Sequence, residues 1–108
     1  MASDQGFVDY VCEQLRGSGR ITHRKMFGEY AIYLDEKVVA LVCDNQLFVK
    51  PTTGGRALLG GPVEAPPYSG AKLHFLIEGE LDDAELMATL IRATDRELPA
   101  AKAKKSAK

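Results

Sequence analysis

The segment His23–Pro51, HRKMFGEYAIYLDEKVVALVCDNQLFVKP, sets the architecture. Three β-branched, aromatic or apolar runs lie within it: Tyr30–Leu34, Val38–Cys43 and Leu47–Val49. Asp35-Glu36-Lys37 and Asp44-Asn45-Gln46 separate them, and runs this short with breaks this tight predict an antiparallel meander. Alternation puts Tyr30, Ile32 and Leu34 on one face of their strand and Ala31 and Tyr33 on the other. The next strand is apolar on both faces, with Val38, Ala40 and Val42 opposite Val39, Leu41 and Cys43. Such a strand is expected centrally, covered on both sides; in a small protein the second cover can be another subunit. Asp44-Asn45 suits a tight turn because both residues tolerate positive φ. Asp35-Glu36 suits it less, because Glu resists that conformation.

Upstream, Phe7, Val8, Val11, Cys12 and Leu15 recur at spacings of three and four, which predicts a helix from Asp4 to Arg16. Ser3 or Asp4 would cap it, and Gly17 and Gly19 would end it. A first strand is expected over Ile21–Phe27, with a bulge or bend at Gly28. Downstream, Pro51 closes the meander. Residues 52–61 allow at most two helical turns capped by Thr53, 62–70 read as an irregular connection, and Ala71–Ile77 reads as a returning strand. A last helix opens with Asp82 as N-cap, Glu85 in a capping-box-like position and Leu81 with Leu86 as a staple. Met87, Leu90, Ile91, Thr94 and Leu98 continue its stripe until Pro99. The prediction is an α+β domain over residues 1–99, in which an antiparallel sheet of about five strands packs with N- and C-terminal helices. Residues 100–108, rich in Lys and Ala, are expected to be disordered.

With 108 residues, 45% of them hydrophobic, one domain with a modest core is expected. A chain of this size buries about 65% of its unfolded surface. No apolar run approaches the roughly 20 residues a membrane span needs. The first residues, Met1-Ala-Ser-Asp-Gln, lack the features of a signal peptide, so a cytoplasmic protein is expected, with no membrane partner. Cys12 and Cys43 lie on different elements without CxxC spacing; buried, reduced thiols are the expected state, a disulfide or reactive thiol the alternative. Net charge is −1, but Lys102, Lys104, Lys105 and Lys108 supply four of the fourteen basic residues. The remainder, ten basic against fifteen acidic, is an acidic body, unlike a domain whose whole face grips nucleic acid.

Candidate chemistry is sparse. Thr52-Thr53-Gly54-Gly55-Arg56 precedes a short helix and suggests a phosphate cradle, but neither phosphate-loop pattern is present and a plain turn explains it. His23 and His74 lack ligands at zinc spacing, and no serine sits in a nucleophile motif. No catalytic residue, cofactor or metal site is therefore assigned. Arg16, Arg20, Arg24 and Lys25 cluster where the first helix passes into the first strand, a solvated surface or a contact site for phosphate or an acidic partner. The four tail lysines could add weak, nonspecific nucleic-acid attraction, with a log–log salt slope of at most about −3.6.

Arg24-Lys25-Met26-Phe27-Gly28-Glu29-Tyr30-Ala31-Ile32-Tyr33-Leu34-Asp35, then Ala40-Leu41-Val42 and Leu47-Phe48-Val49-Lys50, resembles the N-terminal domain of the TfoX/Sxy family, bacterial proteins named for regulators of natural competence. The similarity spans roughly residues 5–98 and includes the flanking helices in order. It implies a two-layer, secretion-chaperone-like fold, a tendency to dimerise, and a regulatory role with a protein partner; it transfers no catalytic residue. Glu36 replaces the usual turn glycine, and Leu76–Leu81 lacks the usual aromatic-and-proline pattern. The chain ends ten residues after Leu98, so a stand-alone form without the C-terminal domain is expected. Within the shared motif, packing around Gly28 explains Met26, Phe27 and Tyr30. An interaction surface is expected at Arg24, Lys25, Tyr30 and Tyr33, since aromatics beside arginine anchor contacts. The expected function is a non-enzymatic regulatory module, homodimeric, with an unknown protein partner. The alternative is a nucleic-acid accessory protein using the basic cluster Arg16, Arg20, Arg24 and Lys25, with Arg16 and Arg20 and the tail lysines Lys102, Lys104, Lys105 and Lys108 as its candidate contacts.

Overall fold

A computed structural model describes residues 3–26 and 29–98. The sheet begins with β1 (Ile21–Met26), β2 (Glu29–Leu34), β3 (Lys37–Cys43) and β4 (Gln46–Val49), each antiparallel to the one before. The returning strand, His74–Ile77, pairs antiparallel with β4, and a two-residue strand, Glu64–Ala65, adds on its far side. Numbered in chain order these are β6 and β5, so the sheet runs β1-β2-β3-β4-β6-β5. The expected five strands become six because the connection after residue 62 touches the sheet briefly before turning back. The helices are α1 (Gln5–Leu15), α2 (Thr53–Leu59) and α3 (Ala84–Glu97).

Val8, Val11, Cys12 and Leu15 of α1 and Met87, Leu90, Ile91 and Thr94 of α3 are all buried, so both predicted stripes face the core. They meet Tyr30, Ile32 and Leu34 from β2, Val42 from β3, Leu47 and Val49 from β4, and Phe75 and Ile77 from β6. Cross-strand pairs Val42–Leu47, Leu47–Ile77 and Val49–Phe75 align these side chains on one face. Each fully buried aliphatic or aromatic side chain contributes about 1.5–3 kcal/mol. The result is a two-layer α+β domain.

β3 is central and apolar on both faces, as expected, but its alternation breaks once. Tyr33 pairs with Val38 while Ile32 pairs with Ala40, which leaves Val39 as the extra residue of a bulge. Val38 and Ala40 therefore lie on opposite faces, and Val39 joins Ala40 in the core. With Ala40 inward, regular alternation would turn Val39 outward and Val38 inward; the bulge exchanges the two.

Turn chemistry follows the residues. Asp44 and Asn45 both take positive φ, 53° and 56°. At the other hairpin only Asp35 does, at 57°, so Glu36 never meets the conformation it resists. Gly19, at φ 145°, ends a 3-10 turn (Arg16–Ser18) between α1 and β1. A Cβ there would stand 2.9 Å from Leu34 Cδ1.

Three caps differ from expectation. Asp4 is the N-cap residue of α1 but makes no side-chain cap bond; its N–H donates to Asn45 Oδ1 at 2.7 Å. Thr52, one residue early, caps α2 by accepting from Gly55 N–H at 3.0 Å. Asp83, one residue late, caps α3 by accepting from Leu86 N–H at 3.1 Å, because Asp82 is already taken by the Tyr10 hydroxyl. The bend at Gly28, the stop at Pro99 and the tail lie outside the described residues.

Candidate functional site

The register of β1 on β2 decides where the motif residues point. Arg24 pairs with Ala31 and Thr22 with Tyr33, which puts Arg24 and Tyr33 diagonally on the sheet face away from the helices. The Arg24 guanidinium lies 5.8 Å from the Tyr33 ring centroid, within cation–π range. Lys25 pairs with Tyr30 on the opposite face and stays exposed because β1 is an edge strand. Tyr30 itself is only 7% exposed and its hydroxyl donates to Gln5 Oε1 at 3.1 Å. The expected exposed surface therefore keeps Arg24, Lys25 and the half-buried Tyr33, and loses Tyr30 to the core. Strand alternation separated the two tyrosines; their shared motif did not reveal which faced out.

The outer sheet face is apolar beyond what solvation alone would select. Ala31 and Phe48 are sealed at 0% and 3%, while Leu41 and Leu76 are half-buried. The connection between β5 and β6 folds here: Pro67 and Tyr68 line a cavity of about 590 Å³ with Met26, Leu41 and Cys43, beside Glu29 and Asp44. Met26 at 42%, Leu73 at 51% and Tyr68 at 61% are exposed. Glu29 is already committed: its carboxylate accepts from the Ser3 hydroxyl at 2.7 Å and from Asp44 N–H at 3.2 Å. Burial, helped by the Glu29 and Asp44 carboxylates, pushes the Cys43 thiol up to about 11.

One pair escaped sequence reading. Cys12 Sγ lies 3.6 Å from His23 Nδ1, joining a helix to a strand across eleven residues of chain. The only signal was that Cys12 belongs to the buried stripe and His23 alternates with Ile21 toward it. Burial pushes the Cys12 thiol up, only partly offset by the Arg16 charge, so the pair favours the protonated thiol rather than a nucleophilic thiolate. Both cysteines are free and buried.

The remaining candidates resolve structurally. The Thr52–Arg56 cradle holds an anion of the chain's own: Glu97 accepts from Thr53 N–H at 2.9 Å and from Gly54 N–H at 2.6 Å. His74 is buried with Nδ1 2.9 Å from the Lys72 carbonyl. Among the described residues, no group of three or more His, Cys, Asp or Glu side chains is arranged to hold a metal ion. Arg16 and Arg20 are exposed at the β1 end of the molecule. Arg16 shares a groove with Asp9, Glu13, Cys12 and His23, and Arg20 and Arg24 share another with Asp35 and Glu36, so carboxylates interleave the basic cluster. Lys102, Lys104, Lys105 and Lys108 lie outside the described residues. No described helix is long and apolar enough to cross a membrane.

These features define a two-layer α+β module with an aromatic, apolar and basic sheet face and buried, protonated thiols. The family model for the TfoX N-terminal domain matches residues 13–98, and the chain belongs to that family. It is also 39% identical over 106 residues to a protein of Spirochaeta aurantia, described as an uncharacterized 12.7 kDa protein in the trpE 5′ region. That alignment covers 98% of this chain and 92% of the relative.

Proposed function

We propose that this chain is a non-enzymatic regulatory module that acts by docking other proteins in the cytoplasm and works as a homodimer. The observation that carries the reading is the outer sheet face, where Arg24 stacks toward Tyr33 near exposed Met26, which lines a cavity with the exposed Tyr68. Exposed aromatic and apolar side chains next to arginine are what contact anchors are made of. Membership of the TfoX N-terminal domain family supports a role alongside a transcription-regulating partner. Elevated thiol pKa values and a committed Glu29 support a binding rather than a catalytic use of the cavity. Nucleic-acid binding through Arg16, Arg20 and the tail lysines is the weaker reading, because Asp9, Glu13, Asp35 and Glu36 occupy the same grooves.

Size exclusion with light scattering tests the assembly. A mass twice 11.8 kDa is expected, falling to the monomer when Met26 and Tyr68 are both changed to Asp; a strict monomer in the unaltered chain contradicts it. A salt titration of DNA retention on a chain lacking residues 100–108 tests the alternative. No salt-sensitive retention is expected of that body.

A further inference from the structure

We propose that the cavity between the outer sheet face and the β5–β6 connection binds a small organic cation, an ammonium group carried on an aromatic or branched apolar body. This goes beyond the docking reading, which needs only the exposed rim. The cavity measures about 590 Å³, within the roughly 300–1,000 Å³ of small-molecule sites. Met26 pairs with Glu29 across β1 and β2, and Leu41 and Cys43 alternate with the core residues Ala40 and Val42, so all four line it from the sheet. Pro67, itself buried, and Tyr68 close it from the connection. Met26 and Tyr68 are the exposed rim, whereas Cys43 on the floor is only 6% exposed.

The charge of this cavity has one sign. Among its described lining residues Glu29 and Asp44 are acidic, and none is Lys, Arg or His. Glu29 accepts from two neutral donors, the Ser3 hydroxyl and Asp44 N–H. No ion pair joins either carboxylate to a cation among the described residues. Lys25 lies on the opposite face, and Arg24 turns toward Tyr33 and the separate groove it shares with Asp35 and Glu36. The Cys43 thiol lines the floor with no hydrogen-bond partner among the described residues. After burial, the Glu29 and Asp44 charges are the next causes of its raised pKa, so their field reaches the floor where a ligand sits. An anion is repelled there. Two carboxylates and a protonated thiol fall short of a metal's ligand set, and no metal-holding group of side chains occurs among the described residues. An ammonium on an apolar body meets both halves of the lining. Its charge faces Glu29 and Asp44, its body covers Leu41 and Pro67, and the Tyr68 ring and Met26 sulfur supply polarizable walls.

The test is titration of the isotope-labelled full chain with phenylbutylamine, read by amide shifts. Phenylbutanol and phenylbutyrate, which keep the body and change the charge, are titrated beside it. Shifts centred on Glu29, Leu41, Cys43 and Asp44 are expected. The amine should bind about tenfold tighter than the alcohol, by a margin that shrinks as salt rises, and the carboxylate should not bind. Acetyl-lysinamide carries the same ammonium on a bare alkyl stem and should bind more weakly than the amine. Glu29→Gln should weaken amine binding about tenfold. Asp44→Asn, which suits the positive φ of that turn, should weaken it about threefold. Alcohol binding should be unchanged in both. A circular dichroism melt confirms that each variant is folded; where Glu29→Gln is not, Asp44→Asn decides. No amine shifts at the solubility limit, equal binding of amine and alcohol, or unaltered amine affinity in the folded variants would each overturn the assignment. Tighter binding of acetyl-lysinamide would give the cavity to a partner's lysine and overturn it too. If the amine fails while the chain still retains cellular protein partners, the ligand site falls and the docking reading stands.

Discussion

Cys43 closes β3 beside two carboxylates, and its burial has a measurable consequence for pH dependence. Its thiol loses a proton at about 11 in the folded chain against 9.0 for the free group. Below the lower value both states are protonated and pH has no effect through this group. As pH rises from there, the unfolded chain releases its proton first, so stability falls until the folded thiol ionises too. Urea midpoints should therefore drop between about pH 9 and about pH 11, and less steeply in Cys43→Ala. Both thiols should also react with an aromatic disulfide reagent only when urea unfolds the chain; fast labelling of the folded protein would contradict the burial argument. Gly55 is the other residue with a sharp consequence. A Cβ there would meet Thr52 Oγ1 at 2.8 Å, Leu90 Cδ1 at 3.0 Å and Phe75 Cε2 at 3.1 Å. Gly55→Ala should cost about 1–3 kcal/mol in urea unfolding, because α2 cannot approach α3 and β6 as closely.

The α3 helix is where reading by pattern and reading by structure part by one residue. Its stripe from Met87 to Thr94 was fully legible, because periodicity reports burial directly. Its cap was not, because Asp82 and Asp83 are chemically identical and only the Tyr10 hydroxyl, seventy-two residues away in sequence, assigns Asp82 elsewhere. Asp83→Ala should cost about 1 kcal/mol in thermal or urea unfolding; a larger loss from Asp82→Ala would contradict the assignment of the cap. At the other end, Lys37 Nζ donates to the Asp95 and Leu98 carbonyls at 2.8 and 3.1 Å and lies 3.2 Å from the Asp95 carboxylate. A cation there satisfies helix-terminal carbonyls and fastens the β2–β3 hairpin to α3. Lys37→Met should cost about 1 kcal/mol, measured by urea unfolding. The same locality limited the strands. The meander followed from alternation, but the Val39 bulge and the two-residue β5 depend on cross-strand register that alternation alone does not encode.

Across the whole molecule, helices cover one side of the sheet, and the proposed docking surface is the other. That division was half legible. The motif around Arg24 and Tyr33 stood out in the sequence, while the covering role of Pro67 and Tyr68 did not, since a connection rich in proline reveals no direction. Tyr30 and Tyr33 looked equivalent until β-sheet register sent one inward. The phosphate-like turn at Thr52 was answered from the far end of α3 by Glu97, which sequence separation concealed. On the outer face the β1 side exposes Arg24, Met26 and Tyr68 beside the half-buried Tyr33, and the proposed function rests on that set. The most direct measurement is quantitative affinity capture from the source cell, comparing the unaltered chain with a folded Arg24→Glu, Tyr33→Ala double variant. The account predicts a defined protein retained by the first and depleted about tenfold or more by the second; equal recovery on both, or no specific protein on either, would contradict it.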